Sequence, residues 1–291
     1  GIVGDPARKT ELVRAFAEKI RTLIPDKYCA GPDINTTEEE MRVFADTIGD
    51  KRACTGKPAD MGGLPHELGS TGFGVAHSTF VTLELMKMPV EGATIAIEGY
   101  GNVGTFAHKF LTERGAKVVA VSDSKGTIYD ANGLDYEKLM ETKKTMKTVT
   151  AYKNGSARVL PASELFTLPV DVLMPGARPD VIHDGNKAQV KAKIIVEAAN
   201  IPMSEANEEE LWRRGIVVVP DFVANAGGVI SSYVEYIGGT QQQMFKTVEE
   251  KIVKNTRTVV SKALETKKSP RAVALEIAQQ RVRDAAEKKG R

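Results

Sequence analysis

Three glycines, Gly99, Gly101 and Gly104, stand at the spacing G-x-G-x-x-G inside the segment TIAIEGYGNVG. A nucleotide-binding turn needs each for its own reason. The first permits a tight turn, the second lets the backbone approach a pyrophosphate, and the third lets a helix pack closely on a strand. A strand-like apolar run precedes the turn, and the helical pattern NVGTFAHKFLTERG follows it, with Asn102 and Val103 at its start. The N–H groups and dipole of such a helix start attract phosphates. A second apolar run, AKVVAVSD, ends at Ser122 and Asp123. An acidic residue about 20 positions beyond the glycines favours a free ribose hydroxyl, whereas Ser124 and Lys125 beside it offer a hold for a 2′-phosphate. The pattern points to NAD or NADP and leaves the choice between them open.

Other residue types suggest chemistry without fixing it. Asp33, in GPDINT, reads either as a turn or capping aspartate or as a partly buried carboxylate able to act as a general acid or base. Thr71, in STGFG, is a helix-start hydroxyl equally able to cap or to contact a cofactor amide. Asn225, in NAGG, with Ser232 further along, offers amide and hydroxyl groups at a helix start, which suits a carboxylate-bearing ligand. The four histidines are scattered without metal-ligand spacing, and no cysteine pair supports them, so no metal is expected. Neither a G-x-S-x-G elbow nor a G-x-x-x-x-G-K-[ST] loop is present. Hydride transfer with a dinucleotide is the reaction class left.

The elements that must position these groups follow from periodicity. Strands are expected at 94–97, 117–121, 170–173, 193–196 and 216–219. Helices are expected at 11–23, after Thr36 or Thr37, from 75 to about 88, at 102–113, 205–213, 229–236, 248–267 and 272–289, with short ones at 163–166 and 186–190. Residues 51–74, rich in glycine and proline, read as a loop, and 124–162 as a surface hairpin and a solvated helix without chemistry. Alternating continuous apolar strands and helices imply an α/β fold, a doubly wound, mostly parallel sheet of the Rossmann type. Ligands then bind beyond the carboxyl ends of the strands, where Gly99, Asp123, Pro175–Ala177, Ala199–Asn200 and Asp221–Asn225 lie.

Composition narrows the class. Charged residues at 27% and hydrophobic ones at 42% are ordinary for a globular protein, and 291 residues allow one large or two medium domains. A formal net charge of +2, without basic runs interleaved with aromatics, argues against nucleic acid as a partner. No apolar run approaches the ~20 residues of a membrane span. Two cysteines, Cys29 and Cys54, fit a reducing compartment, so a cytoplasmic location is expected.

Four blocks in order, GIVGDP with AGPDINT, TGKP with GSTGFGV, IEGYGNVG, and PDFVANAGGVISSYVE, are similar to the glutamate dehydrogenases of the glutamate/leucine/phenylalanine/valine dehydrogenase superfamily. The resemblance covers nearly the whole chain and looks like the C-terminal two-thirds or so of such an enzyme. It implies reversible oxidative deamination of L-glutamate to 2-oxoglutarate and ammonia, with hydride transfer to NAD or NADP. Asp33 falls on the proton-transfer group beside the substrate amino nitrogen, and Thr71 near the nicotinamide amide. Asn102 falls in the pyrophosphate turn, and Ser122 and Asp123 fall at the adenine ribose. Asn200 and Asn225 match asparagines lining the cofactor and substrate cleft, and Ser232 matches the serine that accepts the substrate side-chain carboxylate. A homohexamer is implied for the complete enzyme.

Two departures stand out. Where the family has GGSLGRxxATG, this chain reads GGLPHELGSTG. The family's catalytic lysine, in a K-G-G motif, precedes the position of Gly1. A chain beginning at Gly1 is therefore expected to bind cofactor without useful turnover. The resemblance also suggests domains: a remnant of the substrate domain at 1–57, the dinucleotide domain at 58–226, and helices returning to the substrate domain at 227–291. Rival readings are a leucine- or phenylalanine-type amino-acid dehydrogenase and a non-catalytic nucleotide-binding module.

Overall fold

A computed structural model of the chain describes residues 6–33 and 35–289. The first residues of the GIVGDP turn and Ile34 lie outside them. Contacts divide the chain into two compact units, Gly1–Ser70 with Gly228–Val248, and Thr71–Gly227 with Glu249–Arg291.

The second unit is built on seven strands: β1 Thr94–Glu98, β2 Lys117–Asp123, β3 Gly126–Tyr129, β4 Arg158–Leu160, β5 Val172–Pro175, β6 Ile194–Val196 and β7 Val217–Val219. Their order is β4-β3-β2-β1-β5-β6-β7. The five expected strands, β2, β1, β5, β6 and β7, pair in parallel. The hairpin foreseen after Asp123 does more than sit on the surface. β3 pairs antiparallel with β2 and β4 with β3, which extends the sheet.

Both faces are covered, which is why the parallel strands read as continuous apolar runs. Ile95, Ile97, Val172, Met174, Ile194, Val196, Val217 and Val219 enter one core, and Ala96, Leu173, Ile195 and Val218 the other. That alternation is the two-residue period of a strand.

The helices are α1 Lys9–Ile20, α2 Glu38–Ile48, α3 Ser70–Leu85, α4 Asn102–Glu113, α5 Tyr136–Met146, α6 Glu205–Arg213, α7 Asp221–Ala224, α8 Gly227–Tyr236, α9 Gln241–Thr266 and α10 Pro270–Lys289. Thr37, not Thr36, caps α2, in a capping box with Glu40. The expected short helices near 163 and 186 are 3-10 turns.

Helix α3 begins five residues before the expected Val75. Residues 51–69 form the expected loop with short 3-10 turns, but Gly72 serves helix packing: a Cβ on it would lie 2.6 Å from both Phe106 Cβ and the Val103 carbonyl of α4. Helix α9 also begins early, at Gln241 rather than 248. Its later part and α10 bring Val259, Val260, Ala263, Val273 and Ala274 into the core on the sheet. Residues 249–291 therefore go with the sheet, and 58–70 with the first unit, whereas boundaries at 57/58 and 226/227 were expected.

In the first unit α1 packs on α2 around Ala17, Met41, Phe44, Ala45, Ala53 and Cys54. Both cysteines are free. Among the described residues no helix is long and apolar enough to cross a membrane.

Candidate functional site

The chain leaves β1 for β2 on one side and later reaches β5 on the other, so the strand order reverses at β1. Open α/β sheets bind ligands outside the carboxyl ends of the strands at such a point. The glycine turn stands there. Gly99 has φ +87°, and a Cβ on it would meet Ala177 Cβ at 2.7 Å. A Cβ on Gly104 would lie 2.0 Å from the Gly99 carbonyl oxygen and 3.3 Å from Ile97 Cγ2. Around Gly101, at φ −90° as N-cap of α4, nothing lies within 4 Å of an added Cβ. Tight turn, open approach and close helix–strand packing thus fall to the first, second and third glycines.

No side chain caps the N-terminus of α4, so its first amides suit an anion. Asn102 and Val103 are its first two residues, exposed and half-buried.

A cleft of about 770 Å³ opens beside the turn, lined by Glu98, Gly99, Ser122, Asp123, Ala177 and Arg178 among others. Its volume is in the range of small-molecule and cofactor sites. The structure therefore brings Gly99, Ser122 and Asp123 to one cavity. Ser122 is buried, and its Oγ accepts from Gly99 N–H at 3.3 Å. The Asp123 carboxylate is held by two backbone amides, Lys125 N–H at 2.9 Å and Val149 N–H at 2.8 Å.

Two residues that local pattern did not reveal complete the turn. Glu98, buried at the end of β1, accepts from Gly176 N–H at 3.0 Å and Ala177 N–H at 2.8 Å. It thereby seats the β5 loop against Gly99, and burial pushes its carboxyl up from the usual range. Lys143, on the helix α5 read as solvated, is the other. Its ammonium donates to the Tyr100 carbonyl, stands 5.4 Å from the Tyr100 ring centre, and is pushed down by burial. A second cleft of about 470 Å³ joins Tyr100, Gly101, Asn102 and Lys143. One lysine of a lysine-rich helix has no local signal that marks it off from its neighbours.

Asn200 and Asn225 are brought together: the Asn225 amide donates to Asn200 Oδ1 at 2.8 Å. Behind them is a buried charge cluster that no motif announced. Arg271 of α10 donates from Nε to Glu208 Oε1 at 2.6 Å, and from Nη2 to Glu197 Oε2 at 3.1 Å and Asp221 Oδ1 at 2.9 Å. Asp221 N–H donates to Glu197 Oε2, and Asp221 Oδ2 accepts from Ile201 N–H. The cluster thus ties the loop carrying Asn200 to the turn carrying Asn225. Three carboxyls face one guanidinium. Glu197 Oε1 is buried without a hydrogen-bond partner. Burial first, then the neighbouring carboxylates, push Glu197 well up, and burial raises Glu208 to about 7.

Thr71 is the second residue of α3, half-buried, in the sheet unit. Asp33 and Ser232 belong to the other unit. Asp33 is exposed rather than partly buried, because it sits in a turn closed on Thr36. Its N–H donates to Thr36 Oγ1 at 2.6 Å, and its carbonyl accepts from Thr36 Oγ1 at 2.8 Å. Ser232 is half-buried on α8. Among the described residues no three His, Cys, Asp or Glu side chains are arranged to hold a metal ion.

Sheet, switch point and glycine turn define a dinucleotide-binding protein of the doubly wound class. The sequence model of the glutamate/leucine/phenylalanine/valine dehydrogenases matches residues 62–290, and the chain belongs to that family. It is 42% identical over 268 residues to a glutamate dehydrogenase of Aeropyrum pernix, covering 87% of this chain and 64% of that protein. It is 39% identical over 248 residues to an NADP-specific glutamate dehydrogenase of Saccharolobus shibatae, covering 81% and 58%. The chain therefore spans less than two thirds of the length of either relative. The crystal structure of the hetero-hexameric glutamate dehydrogenase of Thermus thermophilus, in its leucine-bound form, superimposes with a TM-score of 0.87 at 26% identity, covering 99% of this chain and 71% of that one.

Proposed function

We propose that the protein of which these residues form part interconverts L-glutamate with 2-oxoglutarate and ammonia, using NAD or NADP. The observation that carries this reading is the division of roles among Gly99, Gly101 and Gly104 on a chain of this family. The residues present fit the cofactor: an open approach at Gly101, an uncapped helix start, and a cleft of suitable size lined by Ser122 and Asp123. When bound, the nicotinamide ring accepts the hydride from the substrate alpha carbon.

The chain's own groups bind and move protons. Asp33 takes the proton-transfer role at the substrate nitrogen, and Ser232 donates a hydrogen bond to the side-chain carboxylate. Thr71 holds the nicotinamide amide. Asn102 and Val103 hold the pyrophosphate, Ser122 and Asp123 the ribose, and Asn200 and Asn225 the cofactor and substrate. Loss of hydride leaves an iminium, which water hydrolyses to the keto acid and ammonia. A hexameric assembly of copies is proposed with the activity, and the cytoplasm as its compartment.

The test is an amino-acid panel on the full-length protein with each cofactor in turn. Glutamate is expected to give the highest kcat/KM. Ser232→Ala is expected to raise the KM for glutamate about 10–100-fold, the worth of one hydrogen bond to a charged group, and to leave the KM for the cofactor unchanged. Preference for leucine or phenylalanine would replace glutamate by the neighbouring substrate class, and the absence of turnover with any amino acid would overturn the reading.

A further inference from the structure

Within the first unit one buried carboxylate has its acceptor sites filled by four donors. Glu235, on α8, is 1% exposed and Lys57 5% exposed, with Lys57 Nζ 2.5 Å from Glu235 Oε1. The same carboxylate accepts from Gly56 N–H at 2.9 Å, Lys57 N–H at 3.3 Å and Leu64 N–H at 2.7 Å. The Lys57 ammonium also donates to the Cys54 carbonyl. A buried charge is tolerated where its charge and its lone pairs are matched, and here three backbone amides and one ammonium match it.

What the hub joins is informative. Ser232 precedes Glu235 on α8 at i, i+3, a spacing that places both on neighbouring ground of one helix face. On the other side, Gly56 has φ +72° and a Cβ on it would meet Pro32 Cγ at 2.6 Å, so the 54–57 turn is seated directly on the residue before Asp33. Ala30 and Cys54 pair as a parallel bridge, with Ala30 N–H donating to Ala53 and Thr55 N–H to Ala30, both at 2.9 Å. Gly63 lies against the Lys57 backbone and leads into Leu64.

We propose that Glu235, with Lys57, is a positioning residue: it fixes the helix carrying Ser232 to the turn that backs Asp33. The inference rests on the proposed dehydrogenase reading for the roles of those two residues. Glutamine at 235 keeps the shape but has only one acceptor oxygen, and its amide meets N–H donors. The helix and the turn then separate by a fraction of an ångström to an ångström, and a 1 Å misplacement of reacting groups costs on the order of 10²-fold in rate.

The experiment compares the full-length protein with Glu235→Gln and Lys57→Gln, reading kcat and KM for glutamate, Kd for NADH and NADPH by fluorescence, thermal midpoint, and amide hydrogen exchange. For Glu235→Gln, kcat/KM for glutamate is expected to fall about 10–100-fold, with cofactor Kd within twofold and faster exchange at 30–36 as well as 54–64. Lys57→Gln, which leaves three amides on the carboxylate, gives a smaller loss in the same direction and stands in if Glu235→Gln does not fold. Unchanged kcat/KM, or equal loss of amino-acid and cofactor binding, overturns the positioning role. If the parent protein turns over no amino acid, the functional reading fails and the hub is judged by exchange alone: protection at 30–36 that ignores Glu235→Gln overturns it.

Discussion

Alanine at Gly104 is expected to abolish measurable binding of NADH and NADPH and to destabilise the sheet unit, whereas alanine at Gly101 is expected to abolish tight binding and to raise stability slightly. At position 104 the new methyl would stand 2.0 Å from the Gly99 carbonyl oxygen. That atom is backbone, so no rotamer change relieves the contact. Either α4 moves off β1 or the turn opens, and both remove the geometry that faces a pyrophosphate. Overpacking of this kind costs about 1–3 kcal/mol, and more where the backbone must shift. At position 101 the backbone is extended and nothing lies within 4 Å. Alanine fits the free chain and restricts the unfolded one, so stability is expected to rise by about 0.4–1 kcal/mol. The methyl then occupies the space through which phosphate must approach. Cofactor titration by fluorescence and urea midpoints on both variants check this. Wild-type affinity in Gly104→Ala, or a loss of stability in Gly101→Ala, would contradict the assignment of roles.

The glycine turn was legible because its requirements are local. The strand, the three glycines and the start of α4 occupy one short run, and the expected bounds of α4 and α6 coincide with those observed. Where the deciding contact is remote, the sequence said less. Gly72 looked like a loop residue because its reason for being glycine is the backbone of α4. β3 and β4 are short, and their strand character comes from pairing outward from β2. The early turns of α9 are polar but bury Met244 and Val248 completely. Lys143 acquires its meaning only when α5 folds over Tyr100. The Arg271 cluster draws on residues 197, 208, 221 and 271, each from a different segment, so no spacing announces it.

That cluster carries the other large effect. Removing Arg271 by alanine takes away the guanidinium that three buried carboxyls share, and breaking a buried pair in this way costs about 3–5 kcal/mol. The cost is expected to be greater at pH 8 than at pH 5. At pH 5 Glu208, raised to about 7, holds its proton in the folded state, and burial moves Glu197 in the same direction. At pH 8 Glu208 of the unmutated protein is ionised and paired with the guanidinium, and it is this pairing that the alanine removes. In the unmutated protein the same linkage has a definite sign. The folded-state pKa of Glu208 lies above its unfolded value of about 4.3, so the folded state binds more protons than the unfolded one between the two. This contribution to stability is fully present below about pH 4 and is lost as pH rises through 7.

His108 acts oppositely at lower pH: burial pushes it down to about 4, so its stabilising contribution grows as pH rises towards its ordinary value near 6.5. Comparison with Glu208→Gln separates the two, because glutamine there stays neutral while His108 is untouched. Between pH 5 and 7 the urea midpoint of the wild type is expected to fall more steeply than that of Glu208→Gln, and between pH 7 and 8 the two are expected to run parallel. Cofactor affinity of Arg271→Ala is expected to fall with stability, since Ile201 and Asp221 are held in the same cluster beside Asn200 and Asn225. Parallel pH curves for wild type and Glu208→Gln would show that the glutamate pair holds no proton near neutrality. An Arg271→Ala protein as stable at pH 8 as at pH 5 would remove the guanidinium as the group that balances them.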